Sequence, residues 1–430
     1  MKIVAVTAHD LRAPTSRTLA GSDAAHPDPD YSAAYAVLHT DDPSGMQGEG
    51  MTFTIGRGND LVCDAIDALA VHVIGRDLDD LVGDMAGTWR SITSDGQLRW
   101  LGPEKGVIHL ATASLVNALW DLWAKRERKP VWQLVADMTP EELVACVDFR
   151  YLTDALRPEQ AVEMLRRNEA TKAERIAELR RDGYPAYITS AGWLGYPEDK
   201  VRRLCRELYA AGWRSFKTKV GISVESDIRR CEVMREELGD DVQLMADANQ
   251  VWDVPEAIDW IGQLRGANLR WIEEPTSPDD VLGHAEIRAA VAPIGVATGE
   301  HAANRVMFKQ LLQAEAIDYC QVDACRIGGL NEVLAVLLLA AHFDVPVCPH
   351  AGGIGLCEMV QHISVIDYVC VSASLEDRTT EYASHLHEFF VHPALVRGGR
   401  YVVPEAPGYS MTLVPGTFEA LSWPGGSEWR

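Results

Sequence analysis

The sequence predicts an α/β protein: a small α+β cap followed by a barrel of alternating strands and helices. Three observations carry that prediction. From about Tyr187 onward, short apolar runs alternate with amphipathic stretches of helical length, the pattern of repeated βα units around a parallel sheet. Six successive runs end in an ionisable residue, and barrel active sites form at those strand ends. No G-x-G-x-x-G follows any run, which argues against an open dinucleotide-binding sheet.

The elements follow in order. Lys2–Val6 and Ser32–Leu38 read as strands. Between them, residues 15–30 are rich in Gly, Ser, Asp and Pro, the composition of a long loop. A loop of that length inside a compact domain is commonly functional. Residues 60–75 and 108–125 read as helices, with Leu110, Leu115, Leu119 and Leu122 at helical spacing. The barrel strands are Tyr187–Ser190, Ser215–Val220, Gln243–Asp247, Leu269–Glu273, Ile294–Glu300, Tyr319–Asp323, Val345–His350 and Tyr368–Ser372. Segments such as Val224–Leu238, Val254–Leu264, Arg305–Ala314 and Asn331–Phe343 are the intervening helices.

Bulk properties exclude several classes. With 430 residues there is room for two domains and a large core. A hydrophobic share of 47% with 24% charged residues is that of an ordinary globular protein. A formal net charge of −23 argues against nucleic acid as a partner. No uninterrupted apolar run reaches the roughly 18 residues of a membrane span. His9 and Asp10 fall where a signal peptide would continue its apolar stretch. Nine scattered cysteines without a C-x-x-C pair fit reduced thiols. These features together predict a cytoplasmic protein with no membrane partner.

The strand ends carry, in order, Lys217 with Lys219, then Asp247, Glu273, Glu300, Asp323 and His350. Three carboxylates facing one cavity would repel unless a cation sat among them. Oxygen ligands without cysteine point to a hard divalent ion, Mg²⁺ by default. Alternation alone does not say which of Glu273 and Glu274 points inward. Lys217 and Lys219, two residues apart, share a strand face. A second ammonium and a cation nearby would lower the pKa of a lysine and make it a usable base. Asp323, one strand from His350, would fix its tautomer and favour imidazolium. A metal, a lysine on one wall and a histidine on the other define proton abstraction next to a carboxylate.

The motifs FKTKVG, ADANQ, WIEEP, ATGE, VDACRIGG and PHAGG together resemble the mandelate racemase subgroup of the enolase superfamily. DPDYSAAY, TSDGQLRWLGPEKGV, SPDDVLGHA and SASLEDRTTEYASHLHE narrow the likeness to the L-fuconate dehydratases. The resemblance covers nearly the whole chain. It implies an enolase-like architecture: a cap at residues 1–150, completed by about 390–430, and a (β/α)₇β TIM-type barrel at 151–390. It implies Mg²⁺ on Asp247, Glu273 and Glu300. Lys219 would take the C2 proton of an acid sugar, giving a metal-stabilised enediolate. His350, paired with Asp323, would protonate the departing 3-hydroxyl. Lys217 would bind the substrate carboxylate and Glu381 would bind substrate opposite the metal. Tyr31 and the backbone near Gly21 would contact the polyol end. Glu376 also qualifies by position, but Glu381 matches the dehydratase stretch. The implied reaction is L-fuconate to 2-keto-3-deoxy-L-fuconate plus water, in a homo-oligomer. Another dehydratase or a racemase of the subgroup, a metal-dependent aldolase and a non-catalytic metal-binding scaffold are the competing readings.

Overall fold

The computed structural model describes residues 1–102 and 104–430. Pro103, within the stretch TSDGQLRWLGPEKGV, lies outside the described residues. The chain begins with an antiparallel sheet of β1 (Ile3–Arg12), β2 (Ser32–Thr40) and β3 (Gln47–Thr54), in that order. The third strand was not among those read from the sequence, and Gly48 and Gly50 lie within it rather than in a turn. Its glycines serve close packing instead. The helix Gly106–Arg126 crosses β3 so tightly that a Cβ at Gly50 would sit 2.3 Å from the Ser114 carbonyl oxygen, and one at Gly48 2.4 Å from that of Ala118. That helix is long and apolar enough to cross a membrane, yet 89% of its most apolar window is buried in the fold. It is a core helix, wedged between the cap sheet and the barrel. Asn117 Nδ2 donates to the Ala324 carbonyl at 3.1 Å and Trp120 Nε1 to Asn331 Oδ1 at 2.8 Å.

The barrel is built from β4 (Tyr184–Gly192), β5 (Ser215–Lys219), β6 (Gln243–Asp247), β7 (Leu269–Glu273), β8 (Gly295–Thr298) and β9 (Tyr319–Cys320), each parallel to the next. Residues 345–350 form the seventh stave through the parallel bridges Cys320↔Val347 and Asp323↔His350. β10 (Thr380–Tyr382) pairs parallel with β4 and takes a bond from Glu381 N to the Pro349 oxygen, which closes the ring. Seven helices link these staves: Glu198–Ala210, Val224–Leu238, Val254–Gln263, Val281–Val291, Arg305–Gln313, Leu330–His342 and Leu356–Ile366. The architecture is the (β/α)₇β barrel with an α+β cap.

The closing strand is a correction to the sequence reading. Tyr368–Ser372 is not a strand but part of a buried π-helical turn, Asp367–Ser372, continuing the helix Leu356–Ile366. No glycine or proline interrupts that path until Ala373, whose φ of 53° ends it. The true strand, Thr-Glu-Tyr, has no apolar run because its central residue is the inward-facing Glu381.

After β10 the chain returns to the cap. A short hairpin, β11 (Val396–Arg397) and β12 (Arg400–Tyr401), lies antiparallel on the lower end of β4. Leu11 bridges Ser422, Tyr35 Oη donates to the Met411 carbonyl at 2.8 Å, and Trp429 Nε1 donates to that of Arg12 at 2.9 Å.

Candidate active site

Period-two alternation sets which side chains enter the barrel. Tyr187, Met245, Trp271, Ala297 and Cys348 form a separate buried layer in the barrel interior. Two residues beyond Met245 and Trp271 come Asp247 and Glu273, and so these carboxylates stand on the plug. The question left by the Glu273-Glu274 pair is thereby answered. Glu273 continues the inward face of β7, whereas Glu274 lies past the strand end in a left-handed conformation, φ 46°.

Asp247, Glu273 and Glu300 each offer an oxygen within 4.8 Å of the others, all buried. The in-register pairs Lys219↔Asp247 and Asp247↔Glu273 bring them to one level. Glu300 Oε2 is buried without a hydrogen-bond partner. Burial raises the Glu273 carboxyl well above its ordinary range, reinforced by Asp247 and outweighing the nearby Lys217. Burial likewise raises Glu300, with Glu274 adding to it. An orphaned carboxylate oxygen among three crowded acids is the donor set of a hard divalent cation. The residues fit Mg²⁺.

Lys217 and Lys219 share the inner face of β5, as expected. Lys219 Nζ lies 2.6 Å from Asp247 Oδ2. Burial and Lys217 work to lower its pKa, but Asp247, joined by Asp23 and Glu300, makes the net shift upward. The lowering expected from the neighbouring ammonium is thus present in sign and overridden by the carboxylates. Lys217 is the more enclosed of the two. Its ammonium is enclosed 2.5 Å from Glu273 Oε1, 2.8 Å from Glu381 Oε1 and 3.4 Å from Asp247 Oδ2, and it does not line the cavity.

On the opposite wall, His350 Nδ1 stands 2.7 Å from Asp323 Oδ2. Asp323 Oδ1 is held by the backbone N–H groups of Cys325 and Arg326, at 2.7 and 2.8 Å. Burial opposes the charge on His350, but Glu300, the bond to Asp323 and Glu381 raise its pKa to about 10. Glu381 Oε2 accepts from the Ala351 N–H at 3.0 Å and lies 3.7 Å from His350 Nε2. Glu376 is exposed, which separates the two candidates that position alone left open.

A cavity of about 300 Å³ lies above these groups, lined by Lys219, Glu300, Asp323, His350 and Glu381 from the barrel. Tyr31 and Gly21 also line it. They pack against each other so closely that a Cβ at Gly21 would sit 2.1 Å from Tyr31 Oη. The loop carrying Gly21 is folded over the barrel mouth. Gly195 N donates to Ser22 Oγ at 2.6 Å and Leu194 N to the Ser22 carbonyl at 3.1 Å. Its two ends are tied by Thr15 Oγ1 to the Pro29 oxygen, 2.8 Å, and Ser16 Oγ to Asp30 Oδ1, 2.6 Å. Sequence reasoning missed Trp193, Asn249, His301 and Arg326, which also line the cavity. Each lies just past a strand that was identified, so a reading extended two or three residues into the following loops would have reached them.

Comparison with known proteins agrees with this geometry. Residues 200–416 match the enolase C-terminal domain-like family and residues 30–136 the mandelate racemase / muconate lactonizing enzyme N-terminal domain. The chain is 57% identical to L-galactonate dehydratase of Hypocrea jecorina over 98% of its own length and 94% of that protein. It superimposes on the crystal structure of human mitochondrial enolase superfamily member 1 with a TM-score of 0.98 at 52% identity, covering 100% of this chain and 98% of the other. L-talarate dehydratase from Polaromonas sp. JS666, solved with Mg and L-glucarate, aligns with a TM-score of 0.72 at 26% identity over 97% and 96% of the two chains. With both domains matched and the barrel, cap and carboxylate cluster in place, the chain belongs to the mandelate racemase / muconate lactonizing enzyme family of the enolase superfamily.

Proposed function

We propose that the protein is a Mg²⁺-dependent acid-sugar dehydratase, a hydro-lyase acting on aldonates of L-galacto configuration. The observation that carries this reading is the placing of Lys219 and the Asp323–His350 pair on one cavity with the three-carboxylate cluster at its floor. Asp247, Glu273 and Glu300 would hold the ion. When bound, Mg²⁺ supplies positive charge that offsets the charge developing on a substrate carboxylate as the adjacent C–H bond breaks.

Lys219 is the base for the C2 proton. His350, charged and oriented by Asp323, gives a proton to the 3-hydroxyl, which leaves as water. The C2–H and C3–O bonds break, a C2–C3 double bond forms, and the enol becomes a 2-keto-3-deoxy acid by taking a proton at C3 and losing the one on its C2 hydroxyl. Lys217 would bind the substrate's carboxylate, and Glu381, which faces the same space, would bind substrate on the side opposite the metal ion. Tyr31 and the Gly21 backbone contact the polyol end.

L-fuconate is 6-deoxy-L-galactonate, so the sequence likeness to L-fuconate dehydratases and the 57% identity to an L-galactonate dehydratase support one configuration from C2 to C5. We take L-fuconate as a substrate, with L-galactonate as its 6-hydroxy counterpart. The reading extends to a cytoplasmic homo-oligomer, since all nine cysteines are free thiols and the sequence likeness implies association. A panel of diastereomeric hexonates and 6-deoxyhexonates, assayed for 2-keto acid, tests the substrate. Turnover of L-fuconate and L-galactonate above their C4 and C5 epimers is expected. Preference for an epimer, or C2 exchange in D₂O without loss of water, would replace this reading with another dehydratase or a racemase.

A further inference from the structure

The active-site wall carries a second carboxylate–histidine pair that the reaction described above does not use. His301, the residue after Glu300, turns Nδ1 toward Glu274 Oε1 at 2.8 Å. Glu274 is fully buried, and its Oε1 also accepts from Gln250 Nε2 at 2.9 Å. The backbone at this point is held in an unusual form: Glu274 and Gln250 both have positive φ, 46° and 66°, and Gln250 N bonds the Glu274 oxygen at 2.8 Å. Non-glycine residues keep such a conformation only where their surroundings impose it, and these positions cluster at functional sites. What the strained turn achieves is the placement of one acid beneath one imidazole.

The ring so placed lines the cavity, with its side chain 25% exposed. Its Nδ1 is occupied by Glu274, and its Nε2 has no protein partner among the described residues. His362, by contrast, uses both nitrogens internally, with Trp132 N and Ser410 Oγ. Glu300 lies between the two pairs, 3.5 Å from His301 Nδ1 and 3.6 Å from His350 Nε2. His301 thus stands on the cavity wall beside Glu300, with Nε2 its unpartnered nitrogen.

The geometry assigns His301 as a substrate-binding residue whose Nε2 hydrogen-bonds a hydroxyl of the acid sugar, with Glu274 as the positioning residue that fixes its ring. This rests on the reading of the cavity as an acid-sugar site. Removing a partner of a buried polar group costs its full desolvation penalty. His301→Ala should then bind substrate at least about tenfold more weakly.

The test uses the full chain loaded with Mg²⁺. Binding of L-fuconate or L-galactonate is measured by calorimetry in the catalytically inert Lys219→Ala protein, with and without His301→Ala. Mg²⁺ affinity is measured in parallel. The expected result is weaker sugar-acid binding with Mg²⁺ affinity unchanged within about threefold. In the otherwise native enzyme, Glu274→Ala should raise KM more than it lowers kcat. Glu274→Gln, whose amide oxygen still accepts from Nδ1–H, should restore most of the loss. Unaltered sugar-acid affinity in the double variant overturns the assignment, as does a loss of Mg²⁺ affinity that accounts for the whole effect. If the native enzyme turned over none of the sugar acids, the functional reading would fail. The His301 assignment is judged separately, by the calorimetry.

Discussion

His350 Nδ1 lies 2.7 Å from Asp323 Oδ2, and that carboxylate is itself fixed by two backbone N–H groups. The imidazole is thus anchored in one orientation on the wall shared with Glu300 and Glu381, while Lys219 comes from a strand across the barrel.

From that division of labour comes a separation of two proton movements. Lys219→Ala should abolish exchange of the C2 proton with solvent. His350→Asn should abolish net dehydration, because hydroxide is a poor leaving group without an acid, yet retain C2 exchange. Proton NMR in D₂O reads both events on one sample. Undiminished exchange in Lys219→Ala would transfer the base role to His350.

The two adjacent glutamates should differ sharply. Glu273→Gln removes a charge from the inward cluster and should abolish Mg²⁺-dependent activity and weaken Mg²⁺ binding by orders of magnitude. Glu274→Gln keeps the acceptor for His301 and should retain substantial activity. Calorimetric Mg²⁺ titration beside initial rates checks both, and the reverse order would refute the ligand assignment.

Residues 15–30 should become more protected when a sugar acid binds, since Ser22 latches the loop to Gly195 and Leu194 over the cavity mouth. Hydrogen exchange with and without saturating substrate measures this. An unchanged profile would remove the lid role.

Acid should destabilise the protein through His362. The Trp132 N–H can only donate, and so Nδ1 must accept, at 3.3 Å, which leaves Nε2–H to donate to Ser410 Oγ at 3.0 Å. That geometry holds a neutral ring. Burial lowers its pKa from 6.5 to about 3. Between those values the unfolded chain binds a proton that the native state refuses, so stability rises with pH across the window and falls on acidification from 6.5 toward 3. The slope is about 1.4 kcal/mol per pH unit for this group. Urea unfolding at pH 7, 6 and 5 should show it, and His362→Gln should reduce the slope, the rest coming from groups such as His385 that burial shifts the same way. An equal slope in the variant would count against His362 as the cause.

Much of the site was legible because catalysis places charge where a buried strand would otherwise be apolar. Asp247, Glu273, Glu300, Asp323 and His350 stand out for that reason. The same logic hid the last strand, since Thr380–Tyr382 is short and centred on Glu381, while the β-prone VCVS before it is the tail of a buried helix. The cap strand Gln47–Thr54 was hidden because Gly48 and Gly50 answer to a helix some seventy residues away. Lys217 shows the limit of face assignment: alternation puts it on the inner side of β5 but does not say that three carboxylates enclose it there.

The return of the C-terminal segment to the cap governs how the molecule can be made. β4 is not paired on its closing side until residues 380–382 arrive, and β1 lacks its last neighbour until Ser422 does. During synthesis the barrel waits for residues 380–382 and the cap for Ser422, although the cap sequence comes out first. Until then the nascent chain carries an open barrel edge and an unfinished cap together, and closure is dominated by contacts far apart in sequence.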